Sequence, residues 1–574
     1  WFRYHRLFAD LLRLELRRVA PETIPSLHRA AAAWHEQEGD VVEAVRHHQA
    51  GGDWAPAARL LVDNYLTLTM DGRGETLHAL LGAFPAGAPL GDGNLAAALA
   101  IDNILHGLLD EAAAQLDVAR RLAAAVPSER RRAFDVYLAV IEVELARRRN
   151  DLPKAQEATR GLEAALGAAA EANELPVRPD YRSLALLNLG IAELWAGRPY
   201  DARQHLEDAL NRTRRISRPF IEVGCLAHLA IAAPLTGQPL PLALELSERA
   251  IAIAEEHGWT DQSMTTGAFA MAGMALVRMG RLADVERHLG RAEESLRVAA
   301  DPGTEGLLQH ARGMLRFAQG RFDEALAEFA RAQGLERLLA SEHVLTVDVR
   351  ARALQVRVRM GDTESARAAL AGLSPEQRNR AGMRIALGAL ALEQNSPEQA
   401  VEALAPVIDG SAPALYERWA RVEALLLDAT ARDRLGDRRA AEESLEAALE
   451  LAEPEGLVLP FMLWPSRELL ERHPKHRTAH ATLISTILDT LAGRAHGGPA
   501  APLRDELSDA ELRVVRYLPS NLTAAEIASQ LVVSANTVRT HMRHIYAKLD
   551  AHSRSEAVAR ARELGLVAPG ALRR

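Results

Sequence analysis

The sequence predicts an all-α protein, in which a long array of paired helices is followed by a small, separate domain of four helices. Helix-favouring Ala, Leu, Arg and Glu recur throughout the 574 residues, whereas aromatic residues make up only 4%. Alternating Val, Ile, Thr and Tyr, the pattern typical of strands, is nearly absent. A Gly- and Pro-rich stretch at 493–504 interrupts the helical pattern and indicates a linker between the two parts.

Length and composition exclude several classes of protein. A chain of 574 residues is too long for one hydrophobic core, so several domains or repeats are expected. Cys225 is the one cysteine, which excludes an intramolecular disulfide and predicts a buried, unreactive thiol. No stretch reaches the roughly 20 apolar residues of a membrane span. No HExxH or GxSxG motif and no carboxylate cluster is present, so no catalytic residue, no metal site and no enzymatic activity are predicted.

The charge of the chain is unevenly distributed. The formal net charge is −9, yet residues 505–574 carry 10 Lys and Arg against 8 Asp and Glu. This segment is therefore at +2 and the remainder of the chain at −11. A basic segment at the end of an acidic chain is the distribution expected of a nucleic-acid-binding module.

Most of the chain before residue 490 consists of helical pairs that turn at a glycine. The same unit recurs around five glycines: an apolar helix, the Gly, then a helix with Ala and Leu at helical spacing. These are Gly197, Gly280, Gly320, Gly361 and Gly436. The units resemble tetratricopeptide repeats, although intervals of 40 and 41 residues exceed the roughly 34 of that family. The resemblance implies an α-solenoid, in which stacked pairs bury their apolar faces jointly. An irregular helical bundle is the alternative.

Short capped helices follow in the last part of the chain. Ser508 with Glu511 and Thr523 with Glu526 have the spacing of capping boxes, which predict two helix starts. Pro519 ends the first of these helices, and the second runs from Ala524 to about Leu531. The third starts at Ser534, and a fourth runs from about Arg554 to Leu564, with Gly565 as its cap.

The third helix divides by its period into a buried and an exposed face. An apolar stripe at i, i+4, i+7 and i+11 predicts the buried face, namely Val538, Met542, Ile545 and Leu549. Arg539, Thr540 and Arg543 lie off this stripe, and no acidic residue occurs from Ser534 to Leu549. A helix with an apolar back and an arginine-rich front fits the major groove of DNA, where Arg bonds guanine O6 and N7.

The order of these residues resembles the LuxR-type helix-turn-helix family over about sixty residues. The shared motifs are Glu526-Ile527-Ala528, Ser534 with Thr537-Val538, His541, Ile545, Lys548-Leu549 and Ser553-Arg554. The loop at 519–522 departs from the glycine-rich loop of that family. The resemblance implies base reading by Arg539, Thr540 and Arg543, and dimerisation through Ala557, Val558 and Ala561. It implies phosphate contacts by Thr523, Ser534, Asn536, Thr537, His541, Lys548 and Arg554.

The first residues resemble the segment that joins a nucleotide-binding module to the helical sensor in large MalT-like regulators. A plain amphipathic helix is the alternative for this stretch, which begins Trp1-Phe2-Arg3-Tyr4. None of the three lysines follows a glycine, so the chain has no Walker A lysine and we expect no cofactor in it. ATP is expected only if an ATPase half lies outside this chain.

Together these features predict four segments and one function. The segments are 1–20 (a remnant of the joining segment), 21–490 (a TPR-like sensor), 491–506 (a linker) and 507–567 (the LuxR-type domain). The predicted function is a bacterial, cytoplasmic and nucleoid-associated regulator that binds promoter DNA as a homodimer or oligomer, without a membrane partner. A small-molecule or protein effector on the repeats would control it, and RNA polymerase is a further partner. The alternative is a protein-interaction scaffold with weak, non-specific DNA tethering.

Overall fold

The described part of the chain is built from helices and contains no strand. The computed structural model describes residues 5–70, 73–85, 87, 91–171, 179–296, 301–473, 478–493, 507–515, 517–518, 522–531, 533–549, 551 and 553–563. Several predicted features lie outside these residues: positions 1–4 of the first segment, most of the predicted linker, the loop at 519–521 and the Gly565 cap. The described residues form two compact units, Trp1–Trp464 and Pro465–Arg574. The predicted segment boundaries stay predictions.

The first unit holds twenty-five of the described helices. The first nine are α1 (Arg6–Val19), α2 (Ile24–Glu38), α3 (Val41–Gly51), α4 (Trp54–Met70), α5 (Gly74–Gly82), α6 (Gly93–Leu105), α7 (Leu109–Leu122), α8 (Ser128–Arg148) and α9 (Leu152–Glu171). The next eight are α10 (Pro179–Trp195), α11 (Pro199–Arg215), α12 (Pro219–Leu235), α13 (Leu240–His257), α14 (Ser263–Arg278), α15 (Leu282–Leu296), α16 (Pro302–Ala318) and α17 (Phe322–Gly334). The last eight are α18 (Thr346–Arg359), α19 (Thr363–Ala371), α20 (Pro375–Arg378), α21 (Ala381–Glu393), α22 (Pro397–Ile408), α23 (Glu417–Arg434), α24 (Arg438–Ala452) and α25 (Leu459–Leu463).

These helices pack as a two-layer solenoid, which confirms the predicted fold class. Consecutive helices form antiparallel pairs, such as α10 with α11 and α23 with α24, and the first helices of successive pairs also contact one another, as in α12 with α14 and α14 with α16. Each of the five predicted turn glycines has a positive φ, from 72° at Gly320 to 80° at Gly361. Glycine adopts this left-handed conformation without strain, which explains why it recurs where one helix of a pair ends.

A second glycine pattern sets the spacing between the paired helices. Gly190, Gly273, Gly313 and Gly388 each lie in the first helix of a pair, and a Cβ built on any of them would lie less than 3.0 Å from a side chain of the second helix. That side chain is always sixteen residues later: Leu206, Leu289, Phe329 and Leu404. The missing Cβ therefore lets a large apolar residue pack against the backbone of its partner helix.

The one cysteine of the chain lies in the core of the first unit. Trp195 is fully covered, as is Cys225, and burial raises the pKa of the Cys225 thiol above its usual range. The predicted burial of this thiol is thus confirmed. Among the described helices, none combines the length and apolar character needed to cross a lipid bilayer.

The second unit holds the remaining six helices. They are α26 (Arg467–Arg472), α27 (Ala481–Leu491), α28 (Asp509–Val515), α29 (Ala524–Leu531), α30 (Ala535–Lys548) and α31 (Arg554–Glu563). The last four share one apolar core, to which α28 contributes Val514 and Val515, α29 contributes Ile527, and α30 contributes Val538 and Ile545. Helix α30 packs on α28, α29 and α31. The predicted four-helix domain is therefore present, with α30 at its centre.

Candidate nucleic-acid interface

Local hydrogen bonds set where each helix of the small domain begins. The Thr523 backbone N–H donates to Glu526 Oε2 at 2.7 Å, and the Glu526 N–H donates back to Thr523 Oγ1 at 3.4 Å. Ser508 and Glu511 make the same reciprocal pair at 2.8 and 3.4 Å. Both predicted capping boxes are confirmed. Ser534 caps α30, because its Oγ accepts the N–H of Thr537 at 3.0 Å.

The inner face of α30 is fixed by the predicted stripe. Val538 and Ile545 are fully buried, Leu549 is nearly so, and Met542 packs against the same core as a half-buried side chain. A helix held along one side cannot rotate about its axis without exposing this apolar surface. The opposite side is therefore presented to solvent in one fixed orientation.

The outer face of α30 carries the three predicted base-reading residues. Arg539 and Arg543 are exposed, and Thr540 is half-buried. Two of them also bond their own helix, since Arg539 Nε donates to the Ala535 carbonyl at 3.2 Å and Thr540 Oγ1 donates to the Asn536 carbonyl at 3.0 Å. The structure thus brings two guanidinium groups one turn apart onto one solvated surface. This arrangement suits bidentate bonds to guanine in a major groove.

Four of the predicted phosphate contacts cluster at helix N-termini. Thr523 lies at the start of α29, whereas Ser534, Asn536 and Thr537 lie at the start of α30, and all four are exposed. Unpaired backbone N–H groups and the helix dipole both favour an anion at such a position. The first turn of α30 is therefore suited to a phosphate group, next to the arginines of its outer face.

Two of the other three predicted phosphate contacts, Lys548 and Arg554, have roles inside the domain. Lys548 Nζ donates to Glu511 Oε2 at 2.8 Å. Arg554 donates to three backbone carbonyls, from Nε to Leu518 at 2.9 Å, from Nη1 to Leu522 at 2.6 Å and from Nη2 to Tyr517 at 3.2 Å. His541 is half-buried. Lys548 and Arg554 thus fasten α30 and α31 to the rest of the domain, a role that the sequence pattern did not reveal.

Glu511 joins α28 to α30 from a buried position. Its carboxylate accepts hydrogen bonds from Lys548 Nζ and from the backbone N–H and the hydroxyl group of Ser508. Burial alone would raise the pKa of this carboxyl, but the bonds from Lys548 and Ser508 outweigh it and hold the pKa at about 2. The carboxyl is therefore ionised at neutral pH, and its bond to Lys548 holds α30 against α28.

The three predicted dimerisation residues face the interior of their own domain. Ala557 and Ala561 are fully buried and Val558 is 9% exposed, all within the core shared with α28, α29 and α30. A side chain covered in this way offers no surface to a second copy. A dimer contact through α31 would have to use other side chains of this helix, such as Ser555, which is exposed.

The fold and the site define a class of protein: a helical-repeat protein that carries a helix-turn-helix DNA-binding domain. The family model of the MalT-like TPR region matches residues 175–465, and that of bacterial regulatory proteins of the luxR family matches residues 505–561. Because the first match spans half of the chain, the chain belongs to the MalT-like TPR family. Its C-terminal domain is of the LuxR type.

Curated relatives match short parts of the chain. The serine/threonine-protein kinase PknK of Mycobacterium tuberculosis is 36% identical over 105 residues, which are 18% of this chain and 10% of the kinase. A nitrate/nitrite response regulator protein homolog of Haemophilus influenzae is 36% identical over 89 residues, 16% of this chain and 41% of that protein. The chain thus spans a tenth of the length of the kinase.

Solved structures are weakly similar to this chain. A Rap protein complexed with Competence and Sporulation Factor has a TM-score of 0.44 at 12% identity, covering 63% of this chain and 99% of that one. NprR in complex with its cognate peptide NprX has a TM-score of 0.40 at 12% identity, covering 62% of this chain and 98% of that one.

Proposed function

We propose that this protein is a sequence-specific transcriptional regulator whose helical repeats sense an effector and control promoter binding by the C-terminal domain. The observation that carries the proposal is the outer face of α30, where Arg539 and Arg543 are exposed on a helix without an acidic residue. The LuxR-type family match and the response-regulator relative support transcription regulation. Base reading would be done by Arg539, Thr540 and Arg543, with phosphate contacts at the first turn of α30.

A cavity in the first unit supports the sensing role. It has a volume of about 850 Å³, within the range of ligand-binding pockets. Its wall includes the stacked rings of Tyr416 and Trp419, whose centroids are 4.2 Å apart, and the charged side chains Arg352, Arg418 and Glu455. Arg278 already covers the Trp419 ring at 3.7 Å, and Arg418 already pairs with Glu455. The size of the cavity is therefore what supports a small molecule or a peptide segment as the effector.

Control of DNA binding would act through assembly. Two copies that engage adjacent half-sites raise the effective concentration of the second domain, so the affinity rises without a new contact. An effector that favours the assembled state would therefore increase promoter occupancy, with RNA polymerase as the further partner. We expect this to take place in the cytoplasm without a cofactor bound to this chain, and ATP is expected only if an ATPase half lies outside this chain.

The test is selection of a randomised DNA duplex pool by the purified chain at physiological salt. We expect enrichment of a two-fold-symmetric site. Arg543→Ala should then weaken binding to the selected site by about 1–3 kcal/mol, because it removes a bidentate base contact. Arg513→Ala, which removes an exposed arginine of α28 in the same domain, is the matched control and should leave the site preference unchanged.

Salt dependence separates this function from the scaffold alternative. A regulator retains a sequence-specific component in the presence of competitor DNA, whereas a tether shows only phosphate binding that fades as salt rises. No enrichment from the pool, together with equal affinity of the wild type and Arg543→Ala, would contradict the proposed function and favour the scaffold.

A further inference from the structure

Three side chains of the first unit meet where α5 lies beside α6. They are His78 of α5, Asp102 of α6 and His106, the residue that directly follows α6. A nitrogen of each imidazole and an oxygen of the carboxylate all lie within 4.8 Å of one another. Among the described residues, no other group of His, Cys, Asp or Glu side chains brings three such atoms so close together.

The local geometry follows from the helix. Asp102 and His106 are four residues apart, so they lie on the same face. His78 Nδ1 is 2.9 Å from Asp102 Oδ2, His106 Nδ1 is 3.6 Å from Asp102 Oδ1, and the two ring centroids are 4.4 Å apart. The carboxylate thus lies beside two imidazoles, one supplied by α5 and the other by the residue that follows α6.

The hydrogen bonds of His106 prepare one of its nitrogens for a ligand. Its Nδ1 is 2.8 Å from the backbone carbonyl of Asp102, and since a carbonyl can only accept, Nδ1 carries the proton. The lone pair is then on Nε2, which would be the ligand atom of His106, whereas the 3.6 Å separation joins its Nδ1 to Asp102. Metal-binding histidines commonly donate their second ring N–H to a backbone carbonyl in this way, which fixes the tautomer and the ring orientation.

Asp102 differs from most buried carboxylates of the first unit because its ion-pair partners are histidines, an arrangement that it shares with Glu193, whose partner is His205 at 2.6 Å. Asp301 lies 2.6 Å from Arg147, and Glu423 lies 2.7 Å from Arg352, so each faces a permanent cation. The side chain of Asp102 is only 8% exposed, yet its ion-pair partners are two histidines, which are charged only when protonated. A buried carboxylate is costly without a compensating positive charge.

We propose that His78, Asp102 and His106 bind one divalent metal ion of the zinc class. Two imidazole nitrogens and one carboxylate oxygen are ligands that Zn²⁺ accepts, whereas Ca²⁺ and Mg²⁺ prefer oxygen. The ion supplies the charge that Asp102 lacks and joins α5 to α6. The composition of the chain had predicted no metal site, because the three residues form no known sequence motif.

Three protein ligands leave at least one coordination position of the ion open. Asp102 and His106 also line a cavity of about 130 Å³, whose wall includes Ile101, Leu105 and Val140. The open position is therefore available to water or to an oxygen or nitrogen atom of a small molecule in this cavity. This site is separate from the 850 Å³ cavity and does not depend on the proposed DNA-binding function.

The test is zinc binding by the full chain after removal of metal with EDTA. The chain is titrated with Zn²⁺ at pH 7.5 in competition with a chromophoric chelator. We expect one tight site in the wild type, and a loss of affinity of more than about 10-fold in His78→Ala, because one ligand is removed. The side chain of His78 is 54% exposed, so this substitution should leave the fold intact.

Two further variants keep the outcome decisive. Asp102→Asn retains the size of the side chain, removes its charge and should weaken the same site. His47→Ala is the control for adventitious binding, because it disrupts another histidine group, in which His28 Nδ1 and His47 Nδ1 are 2.9 Å apart. The proposal is overturned if His78→Ala binds Zn²⁺ as tightly as the wild type, or if the only tight site is the one that His47→Ala removes.

Discussion

The core of the solenoid and the outer face of α30 in the small DNA-binding domain use their charged side chains in opposite ways. In the solenoid, charges are buried in pairs that join distant helices, such as Arg147 with Asp301 at 2.6 Å across 154 residues of sequence. In the small domain, Arg539 and Arg543 stay in solvent on a helix without an acidic residue. A buried pair specifies one packing arrangement, whereas a solvated arginine is available to a polyanion.

The two regions can be observed separately in the intact chain. All seven tryptophans lie at or before residue 464, and none lies in the unit from Pro465 to Arg574. Tryptophan fluorescence therefore follows unfolding of the solenoid alone. Hydrogen exchange of peptides from 507–563 follows the small domain. A substitution should change only the signal of the unit that contains it.

The largest effect is expected from breaking a buried ion pair of the solenoid. Arg352 in α18 is buried and donates to Glu423 Oε2 of α23 at 2.7 Å. Arg352→Met leaves the buried Glu423 charge without its partner, which should lower the free energy of unfolding of the first unit by about 3–5 kcal/mol. Urea unfolding followed by tryptophan fluorescence measures the change.

The control for this pair is an exposed one. Arg439 and Glu443 form an i,i+4 pair on α24 with both side chains largely in solvent, so Arg439→Met should leave the unfolding midpoint unchanged. Replacing both buried partners in Arg352→Met/Glu423→Leu should recover most of the lost stability. A single variant as stable as the wild type would show that the pair does not hold α18 to α23.

A smaller effect is expected at the buried carboxylate of the small domain. The pKa of Glu511 is about 2, below the value of about 4.3 for an unfolded chain. The stabilisation is therefore complete above pH 4.3 and is lost as the pH falls towards 2. The shift corresponds to at most about 3 kcal/mol. This contribution should appear as falling protection of 507–518 once exchange is corrected for its intrinsic pH dependence.

Glu511→Gln isolates this contribution from other acidic groups. The amide keeps the size of the side chain but cannot ionise, so the variant should be less stable at pH 7 and should lose this part of the pH dependence. Parallel pH profiles for the variant and the wild type would mean that the Lys548 and Ser508 bonds do not stabilise the charged carboxylate.

Features that depend on neighbouring residues were predictable from the sequence. The two capping boxes, the stripe from Val538 to Leu549 and the turn glycines all follow from the helix period and from backbone preferences. The structure confirms them because each contact joins residues close together in the chain. The all-α class follows from the same local signals, summed over many helices.

Features that depend on packing were not predictable. His78 lies 24 residues before Asp102, and only the packing of α5 beside α6 brings them together. The same is true of Lys548 and Arg554, where a sequence motif indicates a basic residue but not whether its charge is used inside the domain. Ala557 and Ala561 are the opposite case, in which the sequence indicates a contact with a second copy but the residues are buried in their own domain. Small residues on α31 fit a dimer face and a core equally well.

The close packing of paired helices provides a further prediction for the solenoid, with an expected loss of stability of similar size. A Cβ on Gly313 would overlap the ring of Phe329, which cannot bend away as a flexible chain would. Gly313→Val should therefore cost about 1–3 kcal/mol, measured by tryptophan fluorescence in urea. Gly290→Ala in α15, where a Cβ meets no atom within 4 Å, is the control and should be neutral or slightly stabilising.

The smallest effect concerns Ser534, where the capping and phosphate roles can be separated. Ser534→Ala removes the bond to the Thr537 N–H and should destabilise α30 by about 1 kcal/mol, seen as faster exchange of 534–540. Ser534→Asp should keep the cap, since aspartate is an equally good N-cap, but it places a negative charge at the predicted phosphate position. If a phosphate lies there, the aspartate variant retains the stability of the domain and loses DNA affinity, most strongly at low salt. If the aspartate variant binds DNA as tightly as the wild type, Ser534 only caps the helix. DNA binding would then depend on the exposed arginines of the outer face.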